Sequence, residues 1–408
     1  MAEISLYLHI PFCNAKCDYC DFYSVSLRRQ GSRENCPDAP VHRYIDVLLK
    51  ETERRFDELR REAGPVVVPA LYIGGGTPSL LGASGVGRLL DGLLPLVGRG
   101  CREITVEANP ESAGAAFLRA CADRGVNRLS LGVQSFSEPA RRAAGRQGAL
   151  VPENLKAASE IFGPGLSLDL MTGLPCQSAA DVRAGIDRAV SLGPGHVSLY
   201  SLTVEEGTPL AGRLGQAGLP SAGDADRLWL AGRDALIRAG YEQYEVSNFA
   251  LPGKRCAHNI RYWRMKDWAG IGCAASGTIV DGPGREPADI RGRRSGYAPD
   301  VEAFLAGPAS CLLVEELDRL TLIKESILMG FRYTEGPCPE LFRRRFGLGV
   351  EEAVPHTLEK WRAGPRGIPC GETLVQPGKT ALSARGLLFL NRFLLDCFEE
   401  LDRHSARC

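Results

Sequence analysis

The segment Leu6–Phe22, which reads LYLHIPFCNAKCDYCDF, decides the fold of this chain. Its apolar start predicts a β-strand over Ile4–Ile10. Three cysteines follow directly after that strand, at Cys13, Cys17 and Cys20. Thiolates are the soft ligands of iron–sulfur chemistry, and three of them on a four-iron cluster leave one iron open to a further ligand. The spacing therefore predicts a [4Fe–4S] cluster with one open coordination position.

The open iron suits a small chelating ligand, and S-adenosylmethionine (SAM) can bind it through its amino and carboxylate groups. A fourth nearby thiolate would close that position. Two other interpretations of the triplet are part of a zinc site and three thiols that bind no metal. Zinc sites are usually built from a pair of cysteines with a second pair or with histidines, and the sequence shows no such second pair.

Strand-like segments alternate with helix-like segments over the first half of the chain. This alternation predicts βαβ units and a parallel sheet, either as an open twisted sheet or as a partial barrel. The predicted strands are Ile4–Ile10, Ala70–Ile73, Glu103–Glu107, Arg128–Leu131, Leu166–Leu170 and His196–Leu202. The helical pattern is strongest over Tyr44–Arg61, Ala113–Arg124, Pro152–Phe162 and Ala180–Leu192.

Polar residues and glycines stand at the carboxyl ends of these predicted strands. The cysteine triplet follows the first strand, Gly74–Thr77 the second, Glu107 the third, Gln134 the fourth and Asp169 the fifth. The carboxyl ends of parallel strands meet at one edge of a sheet, where ligands gather. The pattern therefore predicts one site across the mouth of the sheet.

Composition bounds the class of protein. The chain has 408 residues, a formal net charge of zero and 14 cysteines. A zero net charge gives no basic field for nucleic acid. The start of the chain reads as a strand rather than a signal peptide, and no long uninterrupted apolar run predicts a membrane span, although peripheral membrane contact stays open. Together with scattered cysteines, these features predict a cytoplasmic protein with reduced thiols.

The chain divides into two predicted units. Residues 1–285 form the α/β unit with the cluster, residues 286–310 form a linker rich in Gly, Arg and Pro, and residues 311–408 form a small α-rich carboxyl-terminal domain. Helical patterns there cover Glu315–Tyr333 and Val350–Ala363. The polar insert Leu27–Pro40 is predicted to be a loop, whose role the sequence does not reveal.

The cysteine spacing resembles the Cys-x-x-x-Cys-x-x-Cys motif of the radical SAM superfamily. The longer string LYLHIPFC resembles a narrower group, the oxygen-independent coproporphyrinogen III oxidases and their relatives, the HemW-type haem chaperones. The resemblance covers nearly the whole chain. It is carried by YIGGGTPS (72–79), VEANPE (106–111), LSLGVQSF (129–136), LDLMTGLP (168–175), SLYSLTVEEGTPL (198–210), YEVSNFA (244–250), HNIRYW (258–263), MGFRYTEG (329–336) and LSARG (382–386).

This resemblance implies a partial (β/α)6 barrel of the TIM-like radical SAM type, followed by a small carboxyl-terminal domain like that of the HemN proteins. It also implies which residues surround SAM, while no residue is assigned a catalytic role. Taken singly, each of them can also be an ordinary turn glycine or a satisfied polar residue. The implied SAM set is Tyr7, Tyr19, Gly74, Gly75, Gly76, Thr77, Glu107, Gln134, Arg146 and Asp169.

Three features separate the oxidase from the chaperone. Oxidases of the group have a fourth cysteine two positions after the triplet, where this chain has Phe22. They also have a longer segment before the cluster, whereas twelve residues precede Cys13 here. Finally, His258–Trp263 matches the His-Asn-x-x-Tyr-Trp pattern of the chaperones. All three favour the chaperone.

The chaperone pattern is associated with haem in that group. An imidazole from His258 can ligate haem iron, Cys256 is a second possible ligand, and Tyr262 and Trp263 offer flat apolar surface to a porphyrin. The alternative is a packed loop in which His258 only forms hydrogen bonds and Trp263 fills the core. One departure weakens the assignment of Arg146: relatives often have a histidine two residues after the matching arginine, and this chain has Gly148.

The sequence thus predicts a SAM-binding iron–sulfur protein that binds haem and transfers it to acceptor proteins. A flavodoxin- or ferredoxin-like donor would supply electrons, and whether SAM is cleaved productively stays open. The main alternative is an oxygen-independent coproporphyrinogen III oxidase (dehydrogenase) of porphyrin biosynthesis. A third possibility is a radical SAM enzyme acting on another substrate, with HNIRYW serving only as packing.

Overall fold

The fold is built on one large sheet with helices packed against it. The computed structural model describes residues 1–27, 40–215, 218–280, 286–364, 374–376 and 378–405, so residues 28–39 of the predicted loop Leu27–Pro40 lie outside it. The strands are β1 (Ala2–Glu3), β2 (Ser5–Ile10), β3 (Phe12–Cys13), β4 (Val25–Ser26), β5 (Val66–Val67), β6 (Ala70–Gly75), β7 (Glu103–Ala108), β8 (Arg128–Gln134), β9 (Leu166–Thr172), β10 (His196–Ser201), β11 (Glu242–Gln243), β12 (Asn248–Ala250), β13 (Trp268–Ile271), β14 (Ser276–Val280), β15 (Gly292–Tyr297) and β16 (Leu312–Leu317).

Helices lie between most of the strands and make up much of the last quarter of the chain. They are α1 (Pro40–Ala63), α2 (Gly82–Val97), α3 (Ala115–Ala122), α4 (Glu138–Ala143), α5 (Pro152–Phe162), α6 (Ala179–Ser191), α7 (Ala222–Arg238), α8 (Ala257–Trp263), α9 (Val301–Ala306), α10 (Arg319–Gly330), α11 (Pro339–Phe346), α12 (Val350–Ala353), α13 (Pro355–Ala363) and α14 (Leu390–Ser405). Short 3₁₀ helices occur at Pro78–Leu81, Gly163–Gly165, Ala211–Arg213, Pro287–Asp289, Pro308–Cys311 and Gly386–Phe389.

The predicted (β/α)6 arrangement is confirmed. Strands β2, β6, β7, β8, β9 and β10 are neighbours in that order and pair in parallel. Parallel neighbours need a crossover connection, and at least one helix lies between each consecutive pair of these strands. All six carboxyl ends therefore lie along one edge, as the βα pattern of the sequence requires.

The two faces of these strands differ in chemistry. Their Leu, Ile and Val side chains belong to the main hydrophobic core together with residues of α1, α2, α3, α5 and α6. Successive strand residues point to opposite faces, so the alternate positions form a second face that is unusually polar. We call it the polar face; its residues are Ser5, Tyr7, His9, Tyr72, Glu103, Thr105, Glu107, Arg128, Ser130, Ser167, Asp169, His196, Ser198 and Tyr200.

The sheet continues beyond both edges of the six strands. The full order within the described residues is β11-β12-β10-β9-β8-β7-β6-β2-β13-β14-β15-β16. Strand β13 pairs in parallel with β2, and β14 to β16 follow as antiparallel neighbours. The chain therefore crosses from the β12 edge to the β13 edge, and α8 lies in that connection.

The composition of residues 286–310 predicts a linker, but part of this segment belongs to the sheet. Residues 292–297 form β15, which lies between β14 and β16. Arg294 stands opposite Glu315 in register with β16, and the two side chains form an ion pair at 3.3 Å. Cross-strand charge pairs of this kind let a Gly- and Arg-rich segment form a strand. The division of the chain into two units near this point stays a prediction.

The carboxyl-terminal region is helical, as predicted, and has its own hydrophobic cluster that includes Phe331, Trp361 and Phe393. Two predicted helix boundaries are wrong. The pattern Glu315–Tyr333 starts in β16, and the helix begins only after Asp318, which caps it by accepting a hydrogen bond from the Thr321 N–H. The pattern Val350–Ala363 is split in two because Pro355 starts a second helix.

One stretch of the described residues, Pro78–Val97, is long and apolar enough to cross a membrane by length and composition alone. Its buried side chains, among them Val86, Leu89 and Leu93, belong to the main hydrophobic core beneath the sheet. This packing is that of a core helix.

Candidate functional site

A cleft of about 450 Å³ opens at the carboxyl ends of the six parallel strands. Cys13, Cys17 and Cys20 line it and are partly buried. Most of the residues implied for SAM line the same cleft: Tyr19, Gly75, Gly76, Thr77, Glu107, Gln134, Arg146 and Asp169. The structure thus brings together at one mouth side chains that are up to 156 positions apart in the sequence.

The glycine loop between β6 and α2 allows close approach of its neighbours. A Cβ atom on Gly75 would lie 2.7 Å from the ring of His9, and Gly75 has φ of +115°. A Cβ atom on Gly76 would lie 2.6 Å from the Phe12 carbonyl oxygen, next to Cys13. Gly75 needs glycine because of both its backbone conformation and its contact distances, and Gly76 because of its contact distances.

Two predicted SAM residues, Gly74 and Tyr7, do not line the cleft but lie directly beneath it. A Cβ atom on Gly74 would lie 2.9 Å from the carboxyl group of Glu107. The Tyr7 hydroxyl lies 3.0 Å from Nδ1 of His9, and burial raises its pKa well above the usual range. Both residues therefore support the floor of the cleft rather than its surface.

Glu107 is a carboxylate held by two donors at the floor of the cleft. The Tyr72 hydroxyl donates to Oε1 at 2.7 Å, and the Gly75 N–H donates to Oε2 at 3.1 Å. Burial raises the pKa of Glu107 to about 7, and the nearby carboxylate of Asp169 acts in the same direction. The side chain therefore gains or loses its charge near neutral pH.

Asp169 offers an unused acceptor to the cleft. Its Oδ2 accepts a hydrogen bond from the Ser130 hydroxyl at 2.9 Å, while its Oδ1 is buried and has no partner within the described residues. Burial raises the pKa of Asp169. A buried acceptor without a partner is costly, so a ligand donor at this point would satisfy it.

Gln134 ends β8 in a strained conformation. Its φ is +63°, in the left-handed region that non-glycine residues rarely adopt, and the pairing of β8 with β9 is irregular between Gly132 and Gln134. The irregularity turns the Gln134 side chain toward the cleft that it lines. Strain of this kind is commonly found at binding sites.

The cysteine thiols have polar neighbours in the cleft wall. Cys13 Sγ lies 3.4 Å from the Thr77 hydroxyl, and Arg146 Nη1 donates to Cys17 Sγ at 3.7 Å. Burial, with a smaller contribution from the other two thiols of the triplet, raises the pKa of Cys20 to about 11.

These residues fit a SAM-bound iron–sulfur cluster: Cys13, Cys17 and Cys20 line one cleft together with polar side chains and the glycine loop. In a four-iron cluster each thiolate binds a different iron, so the sulfurs line a space instead of meeting at a point. The partnerless Asp169 Oδ1 and the close-packed glycine loop fit a polar ligand next to that cluster.

The space next to Gly148, the position at which relatives often have a histidine, is filled by Glu111. A Cβ atom at this position would lie 2.5 Å from the carboxyl carbon of Glu111, so the Glu111 side chain already occupies the space. Both residues line the cleft. Phe22, which stands where oxidases have a cysteine, also lines the cleft and is 65% exposed.

The four residues predicted for haem lie on or beside α8, away from the cleft mouth. Cys256 precedes the helix and is buried, and its thiol donates to Glu103 at 3.4 Å. Burial raises its pKa well above the usual range. Tyr262 is exposed, and Trp263 is partly buried with its indole nitrogen lacking a partner among the described residues.

His258 faces inward from α8. Its ring lies 4.9 Å, centroid to centroid, from the ring of Tyr72 on the polar face. Its Nδ1 is buried and makes no hydrogen bond to any described residue. Burial lowers the pKa of His258 to about 4, so its imidazole is neutral at pH 7. The motif therefore forms one short helix, but its four side chains do not share one open pocket.

Sequence reasoning missed three residues that organise this region. Glu103 accepts hydrogen bonds from the N–H groups of Ala257 and His258, at 2.9 and 2.8 Å, and so anchors the start of α8. Tyr72 connects Glu107 to His258, and Asn109 connects Thr77 to Arg146. Their signal in the sequence is weak: Glu103 and Tyr72 stand at alternate positions of apolar strands, and Asn109 lies within the VEANPE motif.

Comparisons with known proteins agree with this geometry. A family model described as the radical SAM superfamily matches residues 7–189. The heme chaperone HemW of Escherichia coli (strain K12) is 40% identical over 295 residues, covering 70% of this chain and 72% of that protein. The heme chaperone HemW of Lactococcus lactis subsp. lactis (strain IL1403) is 34% identical over 355 residues, covering 85% of this chain and 86% of that protein.

The fold also matches a solved structure over nearly its full length. Coproporphyrinogen III oxidase (HemN) from Escherichia coli, a radical SAM enzyme, superimposes with a TM-score of 0.77 at 22% identity, covering 97% of this chain and 90% of that one. At this identity the match speaks for the fold alone. The HemW relatives at 34–40% identity, together with the family model, show that the chain belongs to the radical SAM superfamily, within the HemN-like group that includes the HemW proteins.

Proposed function

We propose that this protein is a haem chaperone: a SAM-binding iron–sulfur protein that binds haem and transfers it to acceptor proteins. The relatives at 34–40% identity are named heme chaperones. The structural observation that carries the proposal is α8, on which His258 has a neutral imidazole whose Nδ1 lacks a protein partner. A neutral imidazole nitrogen is the commonest protein ligand of haem iron.

The cluster belongs on Cys13, Cys17 and Cys20, with SAM in the cleft beside it. When bound there, the cluster would supply one open iron for SAM to chelate and a source of electrons for redox chemistry on SAM. Glu107 and Asp169 place negative charge and a free acceptor beside a ligand that carries a positively charged sulfonium group. The glycine loop lets the ligand approach the backbone closely.

Of the two haem-ligand candidates, His258 is favoured over Cys256. The Cys256 thiol is buried and engaged with Glu103, and a thiol must lose its proton before it binds iron. For His258 to reach a haem, α8 would have to move outward, which breaks the ring contact with Tyr72 and the hydrogen bonds from the start of the helix to Glu103, but needs no deprotonation. Tyr262 and Trp263 then offer aromatic surface on the same helix.

The chain would work in the cytoplasm with two kinds of protein partner. One is a low-potential electron donor of the flavodoxin or ferredoxin type, and the other is the acceptor of the haem. Phe22 is exposed at the edge of the cleft, on the route by which a donor would approach the cluster.

An anaerobic haem titration tests the proposal. Wild-type protein reconstituted with iron and sulfide is expected to give a stoichiometric shift of the Soret band, which His258→Ala weakens at least tenfold. His356→Ala, which removes an exposed histidine from α13, is the matched control and should titrate like wild type. An equal Soret shift in wild type and in His258→Ala, or no stoichiometric haem binding in either, would overturn the assignment.

The same preparation separates chaperone from oxidase. Incubation with coproporphyrinogen III, SAM and a reductant is expected to yield no protoporphyrinogen IX, because Phe22 stands in place of the fourth cysteine of the oxidases. Multiple-turnover formation of protoporphyrinogen IX would favour the oxidase instead. A haem chaperone is also expected to transfer its bound haem to an added haem-free acceptor protein.

A further inference from the structure

Three side chains form a continuous polar connection between two of the cluster cysteines. Thr77 Oγ1 lies 3.4 Å from Cys13 Sγ and accepts a hydrogen bond from Asn109 Nδ2 at 3.2 Å. Arg146 Nη2 donates to Asn109 Oδ1 at 3.1 Å, and Arg146 Nη1 donates to Cys17 Sγ at 3.7 Å. We call this connection the thiol bridge.

The donors and acceptors of the thiol bridge can be arranged in only one way. A guanidinium has donors and no acceptor, so the Asn109 atom that faces Arg146 must be the oxygen. The Asn109 amide nitrogen is thereby turned toward Thr77 and donates to its hydroxyl oxygen. The hydroxyl proton of Thr77 is then left free, and its remaining neighbour in the bridge is Cys13 Sγ. A cysteine bound to iron is a thiolate, which can only accept.

The bridge is held rigidly in a region of low exposure. Thr77 is 4% exposed and Arg146 is 9% exposed. The Arg146 guanidinium also donates to the Gly132 carbonyl oxygen, which fixes its plane. The backbone N–H of Asn109 donates to Ser79 Oγ, which ties the bridge to the 3₁₀ turn after the glycine loop. Hydrogen bonds and charges act strongly in such a setting because little water screens them.

Reduction of a cluster adds negative charge that spreads onto its sulfur ligands. A donor or a cation next to those sulfurs stabilises the reduced form more than the oxidised form. The Thr77 hydroxyl and the Arg146 guanidinium both do this, at different thiolates. Asn109 touches neither sulfur but sets the direction of the Thr77 proton.

We propose that the thiol bridge sets the reduction potential of the cluster, with Asn109 as a positioning residue that aims the Thr77 hydroxyl at Cys13. This inference rests on the proposed ligation of the cluster by Cys13, Cys17 and Cys20. It reassigns Thr77 from a direct contact with SAM to a hydrogen-bond donor to the cluster. The bridge makes the cluster easier to reduce by a low-potential donor protein.

The test is a redox titration of reconstituted variants, followed by electron paramagnetic resonance of the reduced cluster. Thr77→Val removes only the hydroxyl from an isosteric side chain and is expected to lower the reduction potential. Thr77→Ser restores the donor and should return the potential to within error of wild type. Asn109→Ala is expected to lower the reduction potential as Thr77→Val does. Because both substitutions act through the same Thr77 proton, the shift in the double variant should be smaller than the sum of the two single shifts.

Ser112→Ala is the matched control. Ser112 lies on the same turn as Asn109 and bonds Ser79, 2.7 Å away, but it is not part of the bridge. The reduction potential of the cluster in Ser112→Ala should equal that in the wild-type protein. Equal potentials for Thr77→Val and Thr77→Ser, or fully additive shifts in the double variant, would overturn the assignment.

A second measurement covers the case in which the variants assemble no cluster. Electron–nuclear double resonance of the reduced wild-type protein in H₂O and D₂O should show, besides any guanidinium proton of Arg146, an exchangeable hydroxyl proton of Thr77 that is strongly coupled to the cluster, and Thr77→Ser should keep it. Absence of that proton from the wild-type spectrum contradicts the bridge. Failure of the underlying cluster proposal would look different: iron and sulfide content would be unchanged in a Cys13, Cys17 and Cys20 triple-alanine variant.

Discussion

Tyr72 and Glu107 are joined by a 2.7 Å hydrogen bond from the phenol to the carboxylate, across neighbouring strands of the sheet. The other side of the Tyr72 ring contacts His258 of α8. One side chain therefore touches both the floor of the cleft and the helix proposed to bind haem. The polar face of the sheet, which in most barrels is aliphatic, makes this contact between the two sites possible.

SAM affinity is expected to depend on pH through Glu107. Its pKa of about 7 means that the carboxyl is neutral in mild acid and negative in mild base. Bound SAM carries a sulfonium cation, so binding should strengthen by up to about tenfold between pH 6 and pH 8 as Glu107 ionises. Equilibrium dialysis of SAM against the reconstituted protein measures this directly.

The control for this prediction is a second acidic residue of the same cleft. Glu107→Gln should bind SAM weakly and with little change across the pH range, whereas Glu111→Gln should keep the wild-type rise. If SAM affinity rose with pH as much in Glu107→Gln as in wild type, the group that titrates would be one other than Glu107.

Tyr72→Phe is expected to move the pH midpoint of SAM binding upward. The phenol donates to the charged form of Glu107 and lowers its pKa, so its loss makes ionisation harder. Tyr7→Phe is the matched variant, because the Tyr7 hydroxyl bonds His9 and not Glu107. An unchanged midpoint in Tyr72→Phe, or an equal shift in both variants, contradicts the role given to the hydrogen bond.

The sequence predicts the cleft well because its residues sit at the ends of regular strands. Glu107, Gln134 and Asp169 each follow an apolar strand pattern, and parallel strands in chain order bring such positions together. The fold class follows from the same alternation. The sequence does not show which side chains contact one another across the cleft. The role of Asn109, which depends on its contacts with Thr77 and Arg146, could therefore not be predicted from it.

Elements stabilised by distant partners were also predicted poorly. The sequence of β15 looks like a linker because its arginines have no partners nearby in the chain; their partners lie on β16, on α10 and, for Arg293, on α1. Likewise, His258 suggests an accessible ligand until α8 is seen to be anchored by Glu103 against the polar face. Long-range pairing outweighs local composition in both cases.

Glu103→Ala is expected to destabilise the fold strongly. Its carboxylate pairs with Arg128 at 3.1 Å, and both side chains are buried. Without this carboxylate, the Arg128 charge stays buried without a charged partner, and two N–H groups of α8 lose their acceptor. The free energy of unfolding should therefore fall by about 3–5 kcal/mol. Urea denaturation monitored by circular dichroism gives the value. Glu242→Ala, which breaks the exposed pair with Arg255, should cost under about 1 kcal/mol.

Glu245→Gln is expected to raise the free energy of unfolding relative to wild type, and to raise it more at alkaline pH than at acidic pH. Glu245 is 1% exposed, and burial raises its pKa from 4.5 to about 7. Since the folded state holds this proton more tightly than the unfolded state, the carboxyl contributes stability below pH 4.5 that is lost as the pH rises through 7.

Glutamine stays neutral and keeps the oxygen that accepts the Ser247 N–H at 2.9 Å. The difference in unfolding free energy between variant and wild type should therefore grow in favour of the variant by up to about 3 kcal/mol between pH 5 and pH 8. Urea denaturation at both pH values measures it, with the exposed position Glu206→Gln as a comparison that should show no such growth. Because Glu245 also pairs with Tyr333 in an antiparallel bridge, a pH-independent difference would mean that packing at this contact, and not the buried charge, decides its energy.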